Sequence, residues 1–261
     1  MKIHQDQIGK ILALKKTPQR IICLVPSLTE LLVDLGLESA IVGLTKFCVH
    51  PSHLKKNKTI IGGTKNINIK KIKALNPDII LCNKEENTKE IVALCEQIVP
   101  THVSDIFTID DALELINLYG ELFSREVQAA KMVQEIKFKL VDFQQFIENK
   151  ELKKIAYFIW KKPWMVAGNQ TFIHHMLQLN KFDNIYKNRE RYPEIDIDNI
   201  ALEGDPDFLF LSSEPYPFKE NDISEMEKLS NARVILVNGE MFSWYGSRLL
   251  KAFDYFKALH Q

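Results

Sequence analysis

The residues best suited to binding chemistry are aromatic and charged side chains in segments where strands are predicted to end. Aromatic rings bury a large area with little loss of rotamer freedom, so they suit a broad, flat ligand. Lysine and arginine beside them would meet carboxylates or amides at the ligand's rim. The predicted binding residues of this kind are Phe47, Lys65, Glu85, Trp160, Trp164, Phe242, Trp244, Tyr245 and Arg248. For Trp160, a place in the protein core is an equally good interpretation.

Cys48 and His50 could supply a metal ligand, because a thiolate and an imidazole two residues apart can point into one site from a loop. A closed zinc site needs three or four protein ligands, and no second Cys or His pair lies at a standard spacing. An axial ligand to a metal already held in a macrocycle needs one donor, which either residue could provide. An ordinary hydrogen-bonded loop histidine is the third interpretation.

Signatures of the common enzyme classes are absent from the sequence. It contains no GxxxxGK[ST] phosphate loop, no GxGxxG, no HExxH and no GxSxG nucleophile elbow. Glu85 and Glu86 could act as general acid and base, but adjacent acidic residues in loops are usually solvated. We therefore predict a protein that is not an enzyme, with no catalytic residue and no intrinsic cofactor.

The composition is typical of a folded protein with balanced positive and negative charge. The 261 residues are 46% apolar and 26% charged, enough for a large core. Basic and acidic residues number 34 each, so the net charge is zero. The chain therefore lacks the excess of basic residues expected of a protein that binds nucleic acid or an anionic membrane. No apolar run approaches the roughly 20 residues that cross a bilayer. We expect a monomer that does not insert into membranes.

The cysteines and the first residues bear on location. Cysteines at 23, 48, 82 and 95 lie far apart without CxxC pairs, which is typical of buried, reduced thiols in a reducing compartment. The segment from Met1 to Arg20 is rich in charge and lacks the apolar core of a secretory signal. The residues alone therefore predict a cytoplasmic protein.

Short apolar runs alternate with helical periodicity from Arg20 onward, which predicts α/β lobes with mainly parallel sheets flanked by helices. Arg20 to Val25 is predicted as a strand. Ser27 and Glu30 follow it with the spacing of a capping box, which predicts the start of a helix. The loops at the carboxyl ends of such strands are where open α/β sheets place ligands.

One helical pattern is much longer than the others and predicts the domain organisation. It runs uninterrupted by Gly or Pro over 124–149, long enough to extend along two lobes. We predict an N-terminal lobe over 1–123, a connecting helix over 124–149 and a C-terminal lobe over 150–261. An amphipathic helix packed on a single domain is the alternative.

Four stretches of the chain resemble a known family. They are RIICLVPSLTELLVDLGL (20–37), GGTKNINIKKIKALNPDIIL (62–81), WMVAGNQTFIHHMLQL (164–179) and FSWYGSRLL (242–250). Together, in order and over about 20–260, they are similar to the cobalamin-binding and metal-chelate-binding substrate-binding proteins of ABC importers. Each motif alone is degenerate, so the resemblance depends on their order and spacing.

The resemblance implies two α/β lobes joined by one long backbone helix, with a cleft that holds a corrinoid, haem or siderophore-type chelate and changes little in shape. It adds Asn66 and Tyr192 to the predicted binding residues. It also implies a periplasmic or cell-surface location, unlike the residues alone.

The resemblance further implies docking to an ABC permease through one glutamate on each lobe. The matching positions here hold Lys70 and Asp198. Lysine reverses the charge at one contact, so we expect weaker docking than the family pattern implies.

The leading hypothesis is a binding protein for a metal chelate, with cobalamin first and haem or a ferric siderophore next. In it, Trp164, Trp244 and Tyr245 would stack on the ligand, while His50 or Cys48 would approach the metal. The alternative is a chelatase-like enzyme that uses His50 with Glu85 or Glu86 to insert a divalent metal into a tetrapyrrole. A third hypothesis is a scaffold that binds a peptide.

Overall fold

The computed structural model describes residues 2–261, apart from the side chains of Lys2 and Ala201. The chain forms two compact units. The N-terminal unit comprises Met1–Ile136 and Tyr245–Arg248, and the C-terminal unit comprises Lys137–Trp244 and Leu249–Gln261.

The N-terminal unit contains a parallel five-stranded sheet and a small antiparallel ribbon. The ribbon strands are β1 (Lys2–Gln5) and β2 (Ile11–Leu14). The sheet strands are β3 (Ile21–Cys23), β4 (Ile41–Leu44), β5 (Thr59–Ile60), β6 (Ile79–Asn83) and β7 (Thr101–Ser104). Their spatial order is β5-β4-β3-β6-β7, so β5 and β7 are the edge strands. The helices are α1 (Pro26–Asp34), α2 (Leu54–Asn57), α3 (Ile69–Ala74), α4 (Lys89–Glu96) and α5 (Ile109–Phe123).

The start of α1 differs from the sequence prediction. Its N-cap is Val25, which makes no side-chain cap, and Pro26 begins the helix with a φ already suited to it. Ser27 and Glu30 are buried in the first turns. The predicted capping box is therefore wrong, because the Glu30 carboxylate pairs with the distant Arg248 instead.

A 22-residue helix, α6 (Glu126–Ile147), follows α5. Its buried stripe recurs every three or four residues, as expected of an amphipathic helix: Ala129, Met132, Val133, Ile136, Phe143 and Ile147. The division between the two units falls within it, after Ile136.

The C-terminal unit contains a second parallel sheet. Its strands are β8 (Lys153–Trp160), β9 (Met165–Val166), β10 (Phe182–Asn184), β11 (Phe208–Ser212) and β12 (Arg233–Val237). Four are parallel in the order β10-β8-β11-β12, and β9 pairs antiparallel with β8. The remaining helices are α7 (Phe172–Leu179), α8 (Ile200–Gly204), α9 (Glu220–Met226), α10 (Gly239–Ser243) and α11 (Leu249–Leu259). The predicted α/β class with mainly parallel sheets is confirmed.

Candidate functional site

Two of the predicted binding residues meet in the N-terminal unit. Lys65 lies in the loop after β5, and Glu85 in the loop after β6. The Lys65 ammonium donates a hydrogen bond to the Glu85 backbone carbonyl at 2.7 Å. The sheet therefore brings these two loops together at its carboxyl edge, as expected for parallel strands.

The buried amide of Asn83, the last residue of β6, organises the loop that carries Glu85. Its Oδ1 accepts hydrogen bonds from the backbone N–H groups of Glu85 at 2.9 Å and Glu86 at 3.1 Å. Its Nδ2 donates to the Ser104 carbonyl on β7 at 3.1 Å. One side chain thus fixes the start of this loop against the neighbouring strand.

Asn87 joins the same loop to the one that carries Lys65. Its Oδ1 accepts the Asn83 N–H at 3.0 Å, and its Nδ2 donates to the Thr64 carbonyl at 3.0 Å. Sequence analysis placed this segment near the ligand but assigned no role to either asparagine. The sequence did indicate such a role, since asparagines at the end of an apolar strand often form hydrogen bonds with the backbone of the loop that follows.

Replacing Asn83 with alanine is expected to lower the free energy of unfolding by about 2–3 kcal/mol. The substitution leaves the backbone N–H groups of Glu85 and Glu86 and the Ser104 carbonyl without their hydrogen bonds to this buried side chain. Urea denaturation followed by circular dichroism measures this. Asn66→Ala, at an exposed loop position, is the matched control and should change stability by less than about 0.5 kcal/mol. Equal effects of the two substitutions would contradict the role assigned to Asn83.

Phe47 presents an exposed ring in the loop after β4. Its side chain is 49% exposed, and the Lys46 ammonium lies 5.0 Å from the ring centroid. A Cβ on Gly63 would lie 3.0 Å from this ring, so glycine allows the close approach. Gly62 has φ +127°, and a Cβ there would lie 2.3 Å from the Asn66 carbonyl oxygen. The turn that carries Asn66 therefore requires glycine.

Cys48 and His50 are in different environments. Cys48 is fully buried, with its Sγ 3.2 Å from Thr29 Oγ1 and 3.3 Å from Thr45 Oγ1. Burial raises the pKa of this thiol, so it stays protonated and is a poor metal ligand. His50 is half-buried in the loop that follows. The structure therefore argues against Cys48 as an axial ligand and leaves His50.

A structural zinc site receives no support. Within residues 2–261 as described, no group of three or more His, Cys, Asp or Glu side chains is placed to hold a metal ion. A metal whose equatorial positions are already filled by a macrocycle would need only one donor from the protein.

The C-terminal unit carries four adjacent aromatic rings, Trp160, Trp164, Tyr216 and Phe218, here called the aromatic platform. Trp160, at the end of β8, is 39% exposed and meets Tyr216 edge-on with a centroid distance of 5.7 Å. Tyr216 contacts Phe218 at 4.7 Å. Phe218 stacks on Trp164 at 6.0 Å with an interplanar angle of 10°. Two of the predicted binding residues thus belong to one contiguous ring surface.

Tyr216 and Phe218 were not among the predicted binding residues. They lie in the segment Pro215-Tyr216-Pro217-Phe218, shortly after β11 ends at Ser212. Two aromatic residues separated by proline, directly after a buried strand, would have indicated rings held by a stiff loop at the carboxyl edge.

Lys161 places a positive charge beside the platform. Its ammonium lies 5.4 Å from the Trp164 ring centroid and pairs with Asp222 at 2.6 Å and Glu225 at 2.7 Å. These hydrogen bonds raise the pKa of Lys161, so it stays charged. A cavity of about 450 Å³ adjoins the same edge, lined by Ser213, Phe218, Leu236, Val237, Asn238 and Glu240. The platform therefore borders both charged groups and open space.

Phe242 and Trp244 are buried in the C-terminal unit. Phe242 is fully buried, and its ring centroid lies 4.8 Å from that of Phe256 and 5.2 Å from that of Tyr157. Trp244 is also buried. The Phe242 ring is therefore packed among core rings, and the assignment of Phe242 and Trp244 to the binding site stays a prediction.

Tyr245 and Arg248 belong to the N-terminal unit, and both are buried. Arg248 is 4% exposed, and its Nε donates to Glu30 Oε2 at 2.9 Å. Burial raises the pKa of the Tyr245 phenol, which is therefore neutral. Arg248 therefore forms a buried ion pair and Tyr245 is an interior residue, and the assignment of both to the binding site stays a prediction.

Tyr192 lies between β10 and α8 in the C-terminal unit and is half-buried. The Arg191 guanidinium carbon lies 6.0 Å from its ring centroid. Tyr192 remains a predicted binding residue.

Comparison with known proteins assigns the family. The family model described as "Periplasmic binding protein" matches residues 21–236. The chain belongs to the periplasmic binding protein family. The match spans most of both sheets, so it covers both units. The prediction of a non-enzymatic substrate-binding protein is confirmed, and the chelatase-like and peptide-scaffold hypotheses receive no support.

The chain is similar in sequence to individual members of the periplasmic binding protein family. It is 24% identical to the uncharacterized ABC transporter substrate-binding lipoprotein YvrC of Bacillus subtilis, over 95% of this chain and 82% of that protein. It is 23% identical to a vitamin B12-binding protein of Pectobacterium carotovorum, over 90% and 86% of the two chains.

A solved structure agrees with the family assignment. A possible iron-binding, periplasmic solute-binding protein of Staphylococcus epidermidis superposes with a TM-score of 0.77 at 25% identity, covering 94% of this chain and all of that one. No helix in the described part of the chain is long and apolar enough to cross a membrane.

Proposed function

We propose that this periplasmic binding protein takes a corrinoid, with haem or a ferric siderophore as the next choices, and delivers it for ABC-type uptake. The aromatic platform carries the proposal, because it offers three partly exposed rings, Trp160, Trp164 and Tyr216, backed by the buried Phe218, at the edge where α/β sheets bind ligands. The vitamin B12-binding relative supports the choice of a corrinoid.

The proposal assigns a kind of contact to each candidate binding residue. Trp160, Trp164 and Tyr216 contact the apolar face of the macrocycle, where ring faces exclude water at small entropic cost. Phe47 supplies a further ring in the N-terminal unit, while Lys65 and Asn66 contact the amides or carboxylates at the rim.

Three further residues complete the proposed set. The Glu85 carboxylate meets amide donors of the rim, and Tyr192 contributes in the C-terminal unit. His50 approaches the metal as a single axial donor. A single donor suits a metal held by a macrocycle, which agrees with the lack of a cluster of three or more ligand side chains among the described residues.

Tryptophan fluorescence tests the choice of ligand. The full-length protein is titrated with cyanocobalamin, cobinamide, haemin and a ferric hydroxamate. We expect saturable quenching by the corrinoids, because Trp160 and Trp164 lie in the platform. Saturable quenching by haemin or the hydroxamate alone would replace the corrinoid with that ligand, and quenching by none would overturn the chelate proposal.

Trp160→Ala tests the platform itself. We expect corrinoid affinity to fall about tenfold, since stacking on one ring contributes up to about 1.5 kcal/mol beyond the area it buries. Calorimetric titration measures this without relying on tryptophan emission. Phe138→Ala, which removes a 75% exposed ring elsewhere in the same unit, is the matched control and should leave affinity unchanged. Equal affinities of the two variants would remove Trp160 from the site.

The proposed partner is an ABC permease, and the proposed location of the protein is the outer face of the cytoplasmic membrane. The B. subtilis relative, an ABC transporter substrate-binding lipoprotein, supports both. Lys70 and Asp198 are both exposed, so both are available for docking. The reversed charge at Lys70 requires a permease whose facing residue is not basic.

A further inference from the structure

The zero net charge of the chain conceals a strong separation of charge. Between Glu38 and Asp78 the sequence holds eight lysines and no Asp, Glu or Arg, so residues 39–77 carry a charge of +8. The rest of the chain carries −8. The expectation drawn from the net charge did not include this separation.

The structure gathers six of these lysines around one edge of the N-terminal sheet. The edge strand is β5, with α2 directly before it and α3 after it. These elements carry Lys55, Lys56, Lys58, Lys70, Lys71 and Lys73, here called the basic edge. All are exposed except the half-buried Lys58.

The charge of the basic edge is not neutralised within the described part of the chain. Lys58 and Lys71 donate to the backbone carbonyls of Glu38 at 2.7 Å and Ile60 at 3.2 Å, which accept hydrogen bonds without carrying a full negative charge. Among the residues that the structure describes, none of the six lysines forms a salt bridge with a carboxylate. The Glu38 carboxylate contacts the His53 imidazole instead, at 2.8 Å.

The opposite edge of the same sheet is acidic. Helix α5 packs against edge strand β7, with the Tyr119 and His102 ring centroids 5.2 Å apart. The stretch 105–124 holds five carboxylates and no Lys or Arg: Asp105, Asp110, Asp111, Glu114 and Glu121. Of these, Asp105 forms a salt bridge with Lys84 at 2.5 Å. The unit therefore has a charge dipole along its sheet, which would orient it with the basic edge toward a negative surface.

We propose that the basic edge docks on an anionic phospholipid surface. Its composition favours lipid over a protein partner, because protein interfaces are enriched in arginine and depleted in lysine, and this edge contains lysine only. Flexible, strongly hydrated ammonium groups suit a diffuse layer of phosphate headgroups. Docking would hold the protein at the membrane independently of its bound ligand.

Vesicle sedimentation tests the proposal with the full chain. We expect binding to vesicles of phosphatidylglycerol and phosphatidylcholine but not of phosphatidylcholine alone. Binding should be lost between about 0.1 M and 1 M salt, as the screening length falls from about 10 Å to about 3 Å. Binding to neutral vesicles, or binding that persists in high salt, would overturn an electrostatic mechanism.

A charge-matched pair of variants locates the surface. Lys55→Gln, Lys56→Gln and Lys73→Gln together should lower the partition coefficient about 100-fold, at about fivefold for each lysine. Lys131→Gln, Lys137→Gln and Lys228→Gln remove the same charge from exposed positions outside the basic edge and should have a much smaller effect. Equal losses in the two variants would show a net-charge effect and overturn the proposal.

Two further readouts separate this proposal from others. Retention of the wild-type protein on polyglutamate-coated beads, without binding to anionic vesicles, would overturn it in favour of an acidic protein partner. Corrinoid titration of the basic-edge variant should match the wild type, so failure of vesicle binding and failure of ligand binding are distinguishable.

Discussion

Replacing Arg248 with methionine is expected to lower the free energy of unfolding by about 3–5 kcal/mol, because it leaves the buried Glu30 carboxylate without its cationic partner. Both side chains of this pair are about 95% buried, with exposures of 5% and 6%. The carboxylate could escape this cost only by taking up a proton or drawing water into the interior. Urea denaturation of the purified variant measures the loss.

A double-mutant cycle supplies the control. Glu30→Leu alone should be similarly destabilising, since it leaves the guanidinium buried. Glu30→Leu combined with Arg248→Met should recover a large part of the loss, because apolar replacements of similar volume remove both charges. Additive losses, with no recovery in the double variant, would show that the two side chains are not energetically coupled.

Lowering the pH from 7 to 5 is expected to reduce the free energy of unfolding by about 2 kcal/mol through His102 alone. Burial lowers the pKa of His102 to about 3, from 6.5 for the unperturbed group. Between these values the unfolded chain takes up a proton that the folded chain excludes. Stability is therefore complete above about pH 6.5 and falls by up to about 1.4 kcal/mol for each further unit of pH.

His102→Phe isolates this contribution. A phenyl ring can keep the edge contact with Tyr119 but does not titrate. Burial also lowers the pKa values of His174 and His260, so a smaller dependence on pH should remain in the variant. Chemical denaturation at pH 7, 6 and 5 gives both profiles. Parallel profiles for wild type and variant would show that His102 does not exclude the proton.

Local sequence patterns predicted helices and strands well where residues close together in the chain determine the secondary structure. The apolar run after Arg20 forms β3, and the long amphipathic period forms α6. The α1 capping box failed because it assumed a local partner for Glu30, whereas that carboxylate pairs with Arg248, 218 residues away. No periodicity in the sequence reports such a contact.

The candidate site was predicted in part, and the reason differs from residue to residue. Trp160 ends β8 and Trp164 lies in the loop that follows it, so their place at the carboxyl edge follows from strand position. Tyr216 comes to Trp160 only because β11 pairs with β8 in register. Phe242 resembled a loop aromatic in sequence, but it lies in the core, where rings from β8 and α11 pack against it.

The sequence by itself determined the α/β class and the strand-end loops, because apolar period and residue type are local properties of the chain. Tertiary structure alone decided which aromatic rings stay exposed, which arginine forms a buried ion pair and which edge of the N-terminal sheet is basic. Those outcomes depend on strand order and on contacts between residues far apart in sequence, where the free energy of burial is set by the assembled neighbours rather than by residue identity.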